Sequence, residues 1–177
     1  DKQGWTKTGA DKINGEVMHL INTTDGGSAG YEGAQLTRGQ MLKFKAKIDL
    51  TNFQMWSFNG DVATGSAWGK TGYSIVVKRD VFELQRRMRK NGELLGETIK
   101  TFKNEESIMT SDVWHTVETG VLSTVLGPRI ILKVDGKTAV DYIDESEYKT
   151  DELGYFVFTE ASGGIGMSIA PSYYEGE

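Results

Sequence analysis

Two-residue turn dipeptides set between short alternating runs constrain this chain more than any other feature. Asn14-Gly15, Asn59-Gly60, Asn91-Gly92 and Asp135-Gly136 each pair residues that tolerate positive φ, as the tightest hairpin turns require. Around Asp135-Gly136 the sequence predicts a complete hairpin, with Arg129 to Val134 as one strand and Lys137 to Tyr142 as its partner. Met41 to Leu50 alternates Leu42, Phe44, Ala46 and Ile48 with Lys43, Lys45, Lys47 and Asp49, the period-two signature of a strand with one buried face. Further strands are expected at Glu16 to Asn22, Phe53 to Phe58, Tyr73 to Lys78, Val81 to Met88, Trp114 to Thr119, Gly154 to Thr159 and Ile165 to Ala170. Helical spacing fits better only from Asn104 to Met109, for a turn or two. Many short strands, with 22 glycines against 2 prolines, predict an all-β sandwich or barrel.

The 177 residues suit one domain, 1–177, with no internal repeat and no linker. The acidic Glu175-Gly176-Glu177 reads as a tail, and a start at Asp1 reads as an excised domain or processed protein. A net charge of −5 argues against nucleic acid as a partner. No apolar run reaches the roughly 20 residues of a membrane-spanning helix. With no cysteine there are no disulfides, thiolate metal sites or cysteine nucleophiles. His19 and His115 are the only histidines, too few for a histidine-rich metal site, and both read as structural. The glycine-rich stretch Thr23 to Gly30 is expected to be a loop; it lacks the Gly-Lys-Ser/Thr of a phosphate cradle.

Several blocks resemble the concanavalin A-like lectin/glucanase superfamily. Trp5 and Ile13-Asn14-Gly15-Glu16-Val17 are similar to the opening of such domains. Trp114-His115-Thr116-Val117-Glu118 followed by Ile131 to Lys137 resembles the W-H-x-V and V-D-G-K pattern of laminin-G-like and bacterial carbohydrate-binding modules. Gly154 to Phe158 and Ile165 to Ile169 are similar to the strands that close these folds. The resemblance implies an all-β, antiparallel two-sheet β-sandwich (jelly roll), in a secreted or cell-surface, bacterial protein that binds glycans on a sheet face or its edge loops. It also implies a structural calcium, for which Asp11, Asp25 and Asp144 are the candidate carboxylates, although no segment has EF-hand spacing. Some relatives are glycoside hydrolases or polysaccharide lyases, so the fold alone does not decide activity.

Hydrolysis needs two carboxylates flanking the scissile bond, about 5 Å apart when configuration is retained. The superfamily's hydrolases carry them as Glu-x-Asp-x-(x)-Glu on one strand, and no such string occurs here. Glu145 and Glu147 come nearest, in what reads as a solvated turn. A lyase would draw on Tyr73 or His115 as base and Arg87 to neutralise a uronate.

Binding chemistry is better represented. Sugars stack their C–H faces on aromatic rings and pair their hydroxyls with planar polar groups. Trp56 and Trp68 flank the small-residue segment Asn59 to Ala67, with Tyr73 just beyond, and form the expected stacking platform; Trp114 is expected in the core. On the Val81 to Lys90 strand, Glu83, Gln85, Arg87 and Arg89 share one wholly polar face. Arg87 or Arg89 would clamp a sugar carboxylate bidentately, which brings an anionic polysaccharide into view. Arg86, the one charge on the apolar face, is expected near a strand end. The reading is a non-catalytic carbohydrate-binding module, covalently linked to a larger protein, that attaches it to a polysaccharide. The rivals are a lyase or hydrolase domain and a structural or adhesion domain.

Overall fold

The computed structural model describes the backbone of residues 5–8, 11–14, 17–21, 27–48, 50, 53–61, 67, 69–160, 164–168 and 172–175, and side chains between 35 and 157. Fifteen strands lie among these residues. The first sheet comprises, in spatial order, β1 (Trp5–Thr8), β4 (Gly27–Gln35), β13 (Tyr155–Glu160), β6 (Gln54–Gly60), β7 (Gly72–Val77), β8 (Val81–Lys90) and β9 (Glu93–Lys103). The second runs β12 (Lys137–Ile143), β11 (Pro128–Val134), β10 (Trp114–Ser123), β5 (Gln40–Ile48), β14 (Gly164–Ser168), β3 (Val17–Ile21) and β2 (Asp11–Asn14). β15 (Ser172–Glu175) joins it by pairing with β5, so β14 and β15 occupy successive stretches of one β5 edge. All ladders are antiparallel, and the two-sheet sandwich is as expected.

Local sequence explains most of the pieces. The β5 alternation buries Leu42, Phe44, Ala46 and Ile48 and exposes Lys43, Lys45 and Lys47. At Asn91-Gly92 and Asp135-Gly136 both residues adopt positive φ, 52° and 85° in the first turn and 49° and 79° in the second, each closing a hairpin. A single 3₁₀ turn at Glu105–Ser107 is the helical fragment. Asn59-Gly60, by contrast, is no turn: it ends β6, and a Cβ on Gly60 would lie 2.4 Å from a methyl of Val157 and 2.8 Å from the Tyr155 carbonyl. Glycine is needed there because β13 crosses closely. The expected loop at Thr23 to Gly30 is corrected from Gly27 onward, where β4 begins.

The core lies between the sheets. Phe44 from the second sheet meets Trp56 (5.9 Å between ring centroids) and Phe156 (5.7 Å) from the first, and Phe58 meets Phe156 at 5.4 Å. Each such fully buried ring contributes on the order of 2–3 kcal/mol by area. At the β12 end the sheets are tied by charge. The Asp144 carboxylate, just past β12, accepts from Arg86 of β8 at 2.5 Å and from the Tyr73 hydroxyl of β7 at 2.7 Å. Arg86 therefore sits mid-strand rather than at a strand end, because buried Asp144 and the neighbouring Glu97 and Ser146 compensate its charge.

Candidate carbohydrate-binding face

Alternation decides which residues reach the outside of the seven-stranded sheet. Along β8, buried Phe82, Leu84 and Arg86 point to the interior, while half-buried Glu83, Gln85 and Arg87 and exposed Arg89 point outward. The predicted polar face therefore exists as one surface. Across the β8–β9 ladder Glu83 pairs with Thr101, Gln85 with Thr98 and Arg87 with Gly96, so the edge strand adds two exposed threonines and one bare stretch of backbone. On the other side Gln85 pairs with Ser74 and Ser74 with Ser57, whose hydroxyls meet at 2.9 Å and are fully buried. This inaccessible serine floor adjoins the accessible β8–β9 strip.

The four predicted polar side chains differ in commitment. Glu83 is paired with Lys78 at 2.6 Å. The Gln85 amide makes no hydrogen bond among the described residues, which leaves both its donor and acceptor for a ligand. Arg87 has glycine opposite it on both sides, Gly72 on β7 and Gly96 on β9. Its Nε donates to the Lys70 carbonyl at 2.9 Å, but its Nη2 is buried and unpartnered. Burial alone pulls this guanidinium below its ordinary pKa. Arg89 reaches only the Gly92 carbonyl, at 3.5 Å.

Beside this strip lies a hollow of about 450 Å³ lined by Asn59, Gly69, Lys70, Thr71, Arg89 and Glu152. The Asn59 amide donates to the Thr71 carbonyl at 2.7 Å, and the Thr71 hydroxyl donates to Glu152. Of these, the sequence pointed only to Arg89. Glu152 arrives from the segment after β12, and no local pattern signals that it will meet residues eighty positions earlier.

The aromatic platform needs correction. Trp56 is 0% exposed and Tyr73 is 0% exposed; both point into the sandwich and neither can stack on a sugar. Their outward neighbours are Ser57 and Ser74. Trp68 lies outside the described residues. Trp114, expected in the core, is instead 45% exposed on the outer side of the other sheet. Its neighbour His115 takes the inward position, donating Nδ1–H to Asp135 at 2.6 Å while Nε2 accepts the Thr110 N–H at 3.0 Å. Asp135 also accepts from the Thr116 N–H at 2.8 Å. The W-H and V-D-G-K blocks are thus two halves of one structural clasp.

The three lyase candidates are not brought together. Tyr73 faces the interior, Arg87 faces outward from the same sheet, and His115 belongs to the opposite sheet. Glu145 and Glu147 are exposed after β12. Asp144 does not suit a calcium ion, because a guanidinium and a phenol already donate to it. The Asp11 side chain and all of Asp25 lie outside the described residues, and among those described no cluster of three or more His, Asp or Glu is placed to hold a metal.

The chain matches no protein-family profile and no curated protein sequence. Solved structures do resemble it. The Emp47p carbohydrate recognition domain aligns over 98% of this chain and 89% of its own, with TM-score 0.65 and 10% identity. The Ca²⁺/Man-bound exoplasmic/lumenal domain of VIP36 aligns over 97% and 83%, with TM-score 0.55 and 15% identity. A Bacteroides ovatus mixed-linkage glucan GH16 protein in complex with a G4G4G3G product aligns over 95% and 82%, with TM-score 0.54 and 10% identity. Lectin domains and a glycoside hydrolase family protein thus share this architecture, and the chain has the concanavalin A-like lectin/glucanase jelly-roll fold.

Proposed function

We propose that this chain is a non-catalytic carbohydrate-binding module that holds a polysaccharide on the outer face of the seven-stranded sheet, across β8 and β9. The observation that carries the reading is the polar strip itself, where among the described residues the Gln85 amide makes no hydrogen bond and the Arg87 guanidinium has no carboxylate partner. Amides and guanidiniums are the planar partners that sugar hydroxyls and carboxylates accept. The carbohydrate recognition domain of Emp47p and the mannose-bound domain of VIP36 lend support through shared architecture. Separation of Tyr73, His115 and Arg87 favours binding over lyase chemistry. Arg87 and Arg89 favour an anionic chain, and Trp68 is the remaining stacking candidate.

In this reading the module acts outside the cytoplasm of a bacterium, linked to a larger protein that gains local concentration at its substrate. A structural calcium enters only through Asp11 and Asp25. Bound calcium would raise the Tm, and EDTA would lower it.

Affinity electrophoresis through gels of neutral and anionic polysaccharides tests the proposal. Retardation by one polysaccharide class is expected, weakened about tenfold in Gln85→Ala, the loss of one or two good hydrogen bonds. Unretarded migration in every gel, with the fold intact, would move the assignment to a structural or adhesion role.

A further inference from the structure

The hollow beside β8 is more specific than the strip. Two of its lining side chains, Lys70 and Arg89, are cationic, and one, Glu152, is anionic. Arg87 stands behind them, bonded through Nε to the Lys70 backbone. Among the described residues none of the three cations has a carboxylate within ion-pair distance, although seven carboxylates are engaged elsewhere by Arg38, Lys43, Lys78, Arg86, His115 and Arg129. An unpaired, partly desolvated guanidinium is costly unless something answers its charge.

We infer that this hollow is a subsite for an acidic sugar, a uronate-type residue whose carboxylate lies between the Arg89 guanidinium and the Lys70 ammonium. This rests on the glycan-binding reading of the same face. Arg89 supplies the planar fork, Lys70 a point charge, and Arg87 both fixes the Lys70 backbone and adds an uncompensated field behind it. Glu152 accepts the sugar's ring hydroxyls. It also leaves the lining with one surplus positive charge, which suits one carboxylate per sugar better than dense sulfation. Arg87 is a positioning residue here, and Arg89 and Lys70 make the contact.

The test is affinity electrophoresis and calorimetry of the whole chain with polygalacturonate, alginate, the carboxyl-reduced form of each, and dextran sulfate. Binding to a uronate polymer is expected, falling at least tenfold when its carboxyls are reduced. A loss of similar size is expected in Arg89→Ala and Lys70→Ala, and binding should weaken as salt rises. Arg87→Gln should weaken binding to the uronate polymer by a larger factor than binding to its carboxyl-reduced form, a change in ratio that a fold defect would not produce. Equal affinity for acidic and reduced polymers would overturn the acidic subsite while leaving glycan binding standing. Tighter binding to dextran sulfate than to either uronate would overturn the carboxylate assignment in favour of a general polyanion site. No binding to any of the polymers would overturn the subsite, and the wider neutral panel would then decide the glycan-binding reading separately.

Discussion

At the scale of single residues, parity on a strand decides everything, and composition does not reveal it. Trp56 alternates with Ser57 and Tyr73 with Ser74, so only one member of each pair can face out. Aromatics beside small polar neighbours look like a stacking platform, yet here the rings fill the core and the serines on the opposite side of the sheet are buried as well. Trp114 is the mirror case, because His115 takes the inward position to reach Asp135. The polar face of β8 was legible because every alternate residue there is polar, which leaves no ambiguity of parity. Asp144 yields a prediction at this scale. Burial alone would raise its pKa, but donation from Arg86, Tyr73 and Ser146 holds the carboxyl below its ordinary value. Its stabilising contribution is present above the unfolded-state pKa of about 4 and is lost as pH falls through the depressed folded value. Asp144→Asn leaves Glu97 alone to answer the Arg86 charge and should cost about 3 kcal/mol at pH 7 by urea denaturation. The gap between the variant and the parent should narrow at pH 3. A gap that is small at pH 7, or that widens in acid, would mean the pair does not stabilise the fold.

At the scale of elements, turn dipeptides predicted hairpins where the chain neighbours itself and failed where a distant strand intervenes. Asn91-Gly92 and Asp135-Gly136 close turns between consecutive strands. Asn59-Gly60 lies under β13, nearly a hundred residues later in sequence, and its glycine answers that crossing. β9 went unread because an edge strand carries little period-two burial, and a bulge between Leu84 and Gln85 shifts its register. These two glycines separate in a stability measurement. Gly92 has φ of 85° and open space around it, so Gly92→Ala should cost about 1 kcal/mol, from backbone strain alone. Gly60→Ala must displace Val157 and the Tyr155 carbonyl, and should cost about 2–3 kcal/mol. Equal costs by urea denaturation would contradict the close crossing of β6 and β13.

At the scale of the whole molecule, the class of fold was legible and the connectivity was not. Alternation and turns specify antiparallel sheets, but the order β4-β13-β6 joins residues from three remote parts of the chain. The same limit applied to the site. The β8 face came from one contiguous decapeptide, whereas the hollow beside it draws Asn59, Lys70, Arg89 and Glu152 together only through that long-range order. In the proposed reading the outer face with Gln85, Arg87 and Arg89 holds the glycan; the other outer face carries Lys43, Lys47 and exposed Trp114 on β5 and β10. Amide chemical-shift mapping, with short oligosaccharides cut from whichever polysaccharide retards the domain, separates them most directly. Shifts clustered at Gln85, Arg87, Arg89, Thr98 and Lys70 to Thr71 are the predicted result. A cluster on β5 and β10 instead, with the β8–β9 amides unmoved at saturation, would contradict the account.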